Sequence, residues 1–336
     1  MRYYAERTLQ AFVTIFIVVT VTFVMIRLIP GGPMDFMRAQ LMQQAQGQGG
    51  GTTDMARINE LVEAYTNVQP DKPMWRQYID YLNALLHLDL GTSVWYDREV
   101  ASILASAIPW TVFVLSISLL INFTLGIGLG ALMAYFEGSR FDVGSTLFAI
   151  VSTSVPYYVV AILLVYVFGY RLGWFPTGGR IPSDVEVGLT VEFVTGALYH
   201  AALPVLSLVT GFAGLAISMR ANSISVLGED YIRVARLRGI RTRNIALKHV
   251  VRNAILPIWT QLLISIGFLF GGSIILEQIF KYHGVGYFMY QAIQSRDYPL
   301  MMGGFLVITV AVVISVYVAD LSYGKIDPRV TVGDEE

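Results

Sequence analysis

The chain has 336 residues, 55% of them hydrophobic and only 14% charged, with a mean hydropathy of +0.59 and a net charge of −1. That balance excludes an ordinary soluble domain and points to a protein of several membrane spans. Cysteine is absent, which excludes a disulfide framework, a thiolate metal site and a cysteine nucleophile.

Arg2 and Arg7 precede an apolar run over 8–29 that closes in RLIPGGP. A run of roughly 22 residues matches the ~20 needed to cross the hydrocarbon core and exceeds a signal-peptide core, so it predicts an uncleaved first span with its N terminus inside. The polar segment 31–107 follows, with the low-complexity patch MQQAQGQGGGTTD and the amphipathic stretch MWRQYIDYLNALLHLDLG. Its nine acids outnumber its five bases, as expected of an extracytoplasmic insertion. Asp89 in this stretch reads as a cap or turn residue rather than a contact to substrate.

A second span is expected over 110–136, where Gly126 and Gly130, four apart, suit close helix packing. EGSRFD (137–142) is a short inside turn. The third span, 143–170, carries Ser152, Thr153, Ser154, Pro156, Tyr157 and Tyr158. A polar cluster beside a proline either lines a translocation path or satisfies backbone groups freed at a kink, and the sequence leaves both readings open. The outside loop begins RLGWFPTGGR, and a fourth span runs over 200–219. His200 has no second His, Asp or Glu at ligand spacing, so no metal site is expected.

The segment 230–257, DYIRVARLRGIRTRNIALKHVVRNAILP, is the one densely basic stretch, holding seven of the chain's 23 Lys+Arg against the single acid Asp230. A basic loop between two spans should face the cytoplasm. Ala235 and Gly239 predict a short helix ending in a tight turn, with a second helix over 242–253 before Leu256-Pro257 opens the fifth span, 256–280. Glu277 near the outer end of that span lines an exit funnel or pairs with Lys281, the interfacial pair being favoured. The sixth span, 301–323, precedes the solvated tail 324–336. Six spans with both termini inside agree with the positive-inside rule.

There is no G-x-x-x-x-G-K-[ST] phosphate loop, no H-E-x-x-H and no G-x-S-x-G elbow, so neither ATP hydrolysis nor hydrolase chemistry is expected of this chain. Charges at mid-bilayer positions are scarce, which argues against a stand-alone porter using carboxylate relays.

Several motifs together resemble one family. R-V-A-R-L-R-G at 233–239 with Leu256-Pro257 looks like the ATPase-coupling loop of permease subunits of ABC importers. The dipeptide/oligopeptide/nickel group of binding-protein-dependent permeases, B-type subunit, is the best match. Further matches are Arg27, Leu28, Pro30, Gly31 and Pro33, then Leu88–Ser93 with Ile108, Pro109 and Thr111. Leu172, Gly173, Trp174, Pro176 and Gly178–Arg180 also correspond, as do His283, Gly284, Gly286, Arg296–Pro299 and Asp327–Arg329. In the family pattern E-A-A-x-x-x-G the acid falls at Arg233, a departure, while Val234 and Ala235 hold the two alanine positions and Gly239 the glycine.

The resemblance implies an all-α membrane protein of six transmembrane helices in the type I ABC importer permease fold, with a polar insertion between helices 1 and 2. It divides the chain into a first helix (1–30), the insertion (31–107), a five-helix core (108–323) with the coupling loop 220–257, and a tail. It further implies a second permease subunit, two cytosolic ABC ATPase subunits and an extracytoplasmic solute-binding protein, in the cell membrane and without nucleic acid. ATP and magnesium would be used by the ATPases, this chain binding no cofactor. Arg233, Val234, Ala235, Arg236, Arg238 and Gly239 are the expected coupling residues, with Leu256 and Pro257 at the loop's end. Ser152, Thr153, Ser154, Tyr157 and Glu277 are candidate pathway residues. The cargo expected is di- or oligopeptides, the alternatives being oligosaccharides, nickel, or a porter or channel acting alone.

Overall fold

A computed structural model describes residues 2–28, 72–241 and 244–326, with 39, 60 and 63 as isolated positions. Much of the insertion, Pro30–Pro33, positions 242–243 and the Asp327–Arg329 motif lie outside the described residues.

Among the described residues one antiparallel hairpin, β1 (Thr92–Ser93) with β2 (Arg98–Glu99), interrupts an otherwise helical chain. The helices are α1 (Arg2–Leu28), α2 (Met74–Leu86), α3 (Val100–Tyr135), α4 (Arg140–Ser154) and α5 (Tyr157–Leu164), which continues as a π-helix over Val165–Arg171. They continue with α6 (Val191–Val209), α7 (Phe212–Leu227), α8 (Asp230–Leu237) and α9, a π-helix (Ile245–Val251) extended by Arg252–Ala254. The series closes with α10 (Leu256–Phe268), α11 (Ile274–Ile279), α12 (Val285–Ser295) and α13 (Tyr298–Ile326).

Among the described residues five helical stretches are long and apolar enough to cross a membrane, and α4 with α5, bent by 85°, make a sixth when taken as one span. Six spans are therefore present as expected; one of them is that broken pair, and the fourth and fifth, Val191–Val209 and Lys248–Phe268, lie earlier than the expected 200–219 and 256–280. The third bends where Val155 precedes Pro156, because a residue before proline is driven out of the helical region. The expected 200–219 span is divided at Thr210-Gly211 into α6 and α7. The expected 256–280 span is likewise not continuous: after α10 the backbone tightens into a 3-10 turn (Leu269–Gly271), and Gly272 takes φ +68 before α11 starts. A positive φ ends a right-handed helix, and glycine takes it readily.

The chain forms two compact units, one of residues 1–109 with 284–336 and one of 110–283, so the first and last spans belong together. In the first unit α1 runs along α13, and Val19, Phe23 and Tyr81 form a core with Met302 and Leu306. Val100, Ile103, Leu104 and Ala107 pack on Val285, Met289 and Leu300 in a second core. Asp297, 1% exposed, accepts from Ser93 Oγ at 2.5 Å, from Trp95 N–H at 3.1 Å and from Leu300 N–H at 3.2 Å. It thereby fastens the hairpin to the start of α13.

In the second unit α3 approaches α7 closely. A Cβ on Gly126 would stand 2.8 Å from Leu215 Cβ, and one on Gly130 would strike the Ala216 carbonyl oxygen and lie 2.6 Å from Met219 Cβ. Gly128 faces open space. The four-residue spacing is thus used for packing on one face of the helix.

Candidate functional site

The basic segment folds into a ledge. Asp230 occupies the first turn of α8, where a negative charge favours the helix dipole. Ile232 and Ala235, three apart, are buried and pack with Ile245 and Val250 of α9. Arg233, Val234, Arg236, Leu237 and Arg238 are exposed.

The helix ends in a Schellman motif: Gly239 N–H donates to Arg236 O at 3.0 Å and Ile240 N–H to Ala235 O at 3.2 Å, with Gly239 at φ +71. A Cβ at Gly239 would meet no atom within 4 Å, so the glycine is needed for backbone conformation rather than for room. Ile240 turns back onto the Ile232 cluster. The turn therefore presents Leu237, 82% exposed, beside Val234 and among arginines.

The second helix differs in form from the regular helix expected over 242–253. It is π-helical over Ile245–Val251 and regains α geometry only at Arg252–Ala254. Asn253 Nδ2 donates to Tyr231 Oη at 2.7 Å, tying α9 to α8; neither residue stood out in the sequence. Pro257 sits in the first turn of α10, where its missing N–H costs nothing. Leu256 and Pro257 are exposed, while Ile258 is buried against Leu215, Met219 and Ala254. Arg236 also lines a cavity of about 180 Å³ behind the ledge, with Glu137, Ser223 and Ile245.

Polar side chains of the second unit gather at the three helix breaks. At the α4–α5 bend, Thr153 Oγ1 donates to Ala149 O at 3.0 Å and Ser154 Oγ to Ile150 O at 2.8 Å. Those two hydroxyls bond back to carbonyls one turn earlier in their own helix. Ser152 beside them is half-buried. Tyr157 reaches further: its hydroxyl accepts from Ser273 Oγ at 3.1 Å, joining the α5 start to the break before α11. At the α6–α7 break, Asn122 Nδ2 of α3 donates to the Leu208 carbonyl at 3.1 Å, which also accepts from Gly211 N–H at 3.1 Å. Irregular backbone at membrane depth is tolerated where protein or a water-filled path covers it, and these contacts supply such cover.

Glu277 is not an interfacial partner of the exposed Lys281. It is 3% exposed and accepts from Thr111 Oγ1 at 3.0 Å and Ser273 N–H at 3.4 Å. Its place in the short α11, directly after the broken span, carries it inward. The structure therefore brings Tyr157 and Glu277 together through Ser273, and adds Thr111. Thr111 stood out in the sequence only as part of the family motif, with no role attached, and only a search for polar residues at the edges of apolar runs would have found Ser273.

Beside this group the loop after α5 folds onto 280–283. Gly179 N–H donates to Phe280 O at 3.0 Å, and Arg180 donates to the His283 carbonyl at 3.1 Å. The Arg180 guanidinium lies over the Trp110 ring, 5.1 Å from its centroid, a favourable cation–π arrangement. Burial, and then the Arg180 charge, hold the His283 imidazole below its ordinary range. Burial pushes the Tyr282 phenol up, and its hydroxyl has no hydrogen-bond partner among the described residues. No group of three or more His, Cys, Asp or Glu among the described residues is placed to hold a metal ion.

Residues 126–332 match the family described as binding-protein-dependent transport system inner membrane component. Similar proteins include a dipeptide transport system permease protein of Alkalihalophilus pseudofirmus, 33% identical over 97% of this chain and 98% of that one. An oligopeptide transport system permease protein of Bacillus subtilis is 31% identical over 98% of each chain. A di/tripeptide transport system permease protein of Pseudomonas aeruginosa is 30% identical over 94% of this chain and 95% of that one.

Proposed function

Because this chain belongs to the binding-protein-dependent transport system inner membrane components, a family of multi-pass ABC importer permeases, we propose that it forms half of a path for di- or oligopeptides. A second permease supplies the other half, an extracytoplasmic binding protein delivers the cargo, and two cytosolic ATPases bind ATP and magnesium. This chain is a transport subunit, not an enzyme, and holds no cofactor of its own. Both termini and the ledge face the cytoplasm.

The observation that carries this reading is the ledge: an exposed Leu237 and Val234 among Arg233, Arg236 and Arg238, held by a turn that requires φ > 0 at Gly239. Such a surface offers an apolar anchor with a basic rim, suited to a groove with acidic or carbonyl groups on an ATPase. ATP-driven closure would move α8, and α9 and α10 follow because Asn253 and Ile258 tie them to the ledge and to α7. The breaks at Pro156, Gly211 and Gly272 are natural places to absorb that motion.

The test is co-purification in mild detergent of the tagged wild type and a Gly239→Arg/Arg238→Glu variant. The wild type should bring down a phosphate-loop ATPase and a second permease, and the variant should lose the ATPase while keeping the permease. A chain that purifies alone and moves peptide in vesicles without ATP would overturn the reading.

A further inference from the structure

The helix α2 carries three stripes rather than two. Tyr78, Tyr81 and Leu85 face the protein, packing with Val19 and Phe23 of α1 and Met302 and Leu306 of α13. Trp75, Ile79 and Leu86 are 59%, 55% and 83% exposed and fall within about 40° of one another around the helix. The polar stripe, Arg76, Asp80 and Asn83, lies on average about 90° further round. Lys72 pairs with Asp80 at 2.6 Å beside it. An exposed apolar stripe thus stands between a protein-packed face and a solvated one.

The depth of α2 decides what meets that stripe. The apolar window of α13 starts at Tyr298. At about 1.5 Å per residue, Met302 and Leu306 lie roughly 6 and 12 Å inside it. Helices that lie in a membrane surface bury their apolar side about 5–10 Å into the boundary region. So α2 packs beside the spans rather than beyond them, with Tyr78 and Tyr81 against Phe23 of α1, and Val21, Val24 and Met25 of that helix are exposed like the stripe. Trp75, with the Arg76 guanidinium 5.0 Å from its ring centroid, has the amphipathic character of a membrane-interface aromatic.

We propose that α2 is a membrane-surface helix, with Trp75, Ile79 and Leu86 inserted among the lipid acyl chains where α1 leaves the bilayer and α13 enters it. The helix would hold the insertion at a set height above the path, independently of the cargo carried.

The chain has no cysteine, so Ile79→Cys, Leu86→Cys and Asn83→Cys each accept a single nitroxide label. The full chain, with its co-purifying subunits, is placed in nanodiscs of phosphatidylethanolamine and phosphatidylglycerol. Collision with molecular oxygen, which partitions into lipid, is compared with collision with a water-soluble nickel chelate. The oxygen-to-chelate ratio should be several-fold higher at Ile79 and Leu86 than at Asn83. Equal ratios at the three positions would mean a solvated helix and overturn the proposal. Labels at Ile79 and Leu86 shielded from both reagents would mean a protein cover and overturn it equally.

Discussion

Arg220 holds Asp142 through two hydrogen bonds, Nε to Oδ1 at 2.5 Å and Nη2 to Oδ2 at 2.7 Å. The carboxylate is 2% exposed and also accepts from Gly138 N–H at 3.0 Å, so it closes the α3–α4 turn and pins it to α7. Its place on α7 gives Arg220 this specific partner. Replacing Arg220 by Ala leaves a buried carboxylate uncompensated and should cost roughly 3 kcal/mol. Arg220→Lys should cost less, because one charged hydrogen bond survives while the two-pronged geometry is lost. Thermal unfolding of the detergent-purified variants tests the order; equal loss for both would show that the paired geometry is immaterial.

Gly130 and Gly128 lie two residues apart on α3 and should respond oppositely to the same change. Gly130→Ala drives a methyl against the Ala216 carbonyl and Met219, both on rigid parts of α7, and should cost about 1–3 kcal/mol through forced separation of the helices. Gly128→Ala meets nothing and should be neutral or slightly stabilising, since alanine is the better helix former. Unfolding midpoints of the two variants decide the matter, and a similar loss in both would refute the close approach of α3 to α7.

His283 makes stability depend on pH with a definite sign. Burial and Arg180 disfavour its cation in the folded state, whereas on unfolding it returns to the ordinary value of 6.5. The unfolded chain then binds more protons, so this contribution is constant above about pH 6.5 and stability falls as pH drops below it. Wild type should lose more of its melting temperature between pH 7 and 5 than His283→Gln, which has no proton to take up there. Arg180→Gln should reduce the loss in part, because burial remains. An identical pH dependence in wild type and His283→Gln would show that His283 is not held neutral.

How much of this was legible in the sequence varies by residue. Gly239 announced its turn because a helix C-cap is decided within six residues, by the chain's own N–H and C=O groups. Ala235 was expected on the ledge, but its inward direction depends on Ile245 and Val250 having come back beneath it. Pro156 signalled a break in the third span. Gly211 and Gly272 did not, since glycine within an apolar run reads equally well as helix packing, the role Gly130 has. Glu277 was read as interfacial from its position near the end of a run that turned out to be broken five residues earlier.

The sequence by itself determined what the bilayer enforces locally: the number of spans, the basic ledge between two of them and the lack of a motor or catalytic motif. Span length and hydropathy are properties of contiguous residues, because every backbone polar group within a span must be satisfied inside its own segment. Only the tertiary structure decided which groups serve the breaks in that pattern. Asn122 reaches Leu208 across 86 residues, Tyr157 meets Ser273 across 116, and Thr111 meets Glu277 across 166. Each of those partners is chosen by how helices pack, and no local period or charge pattern encodes the choice.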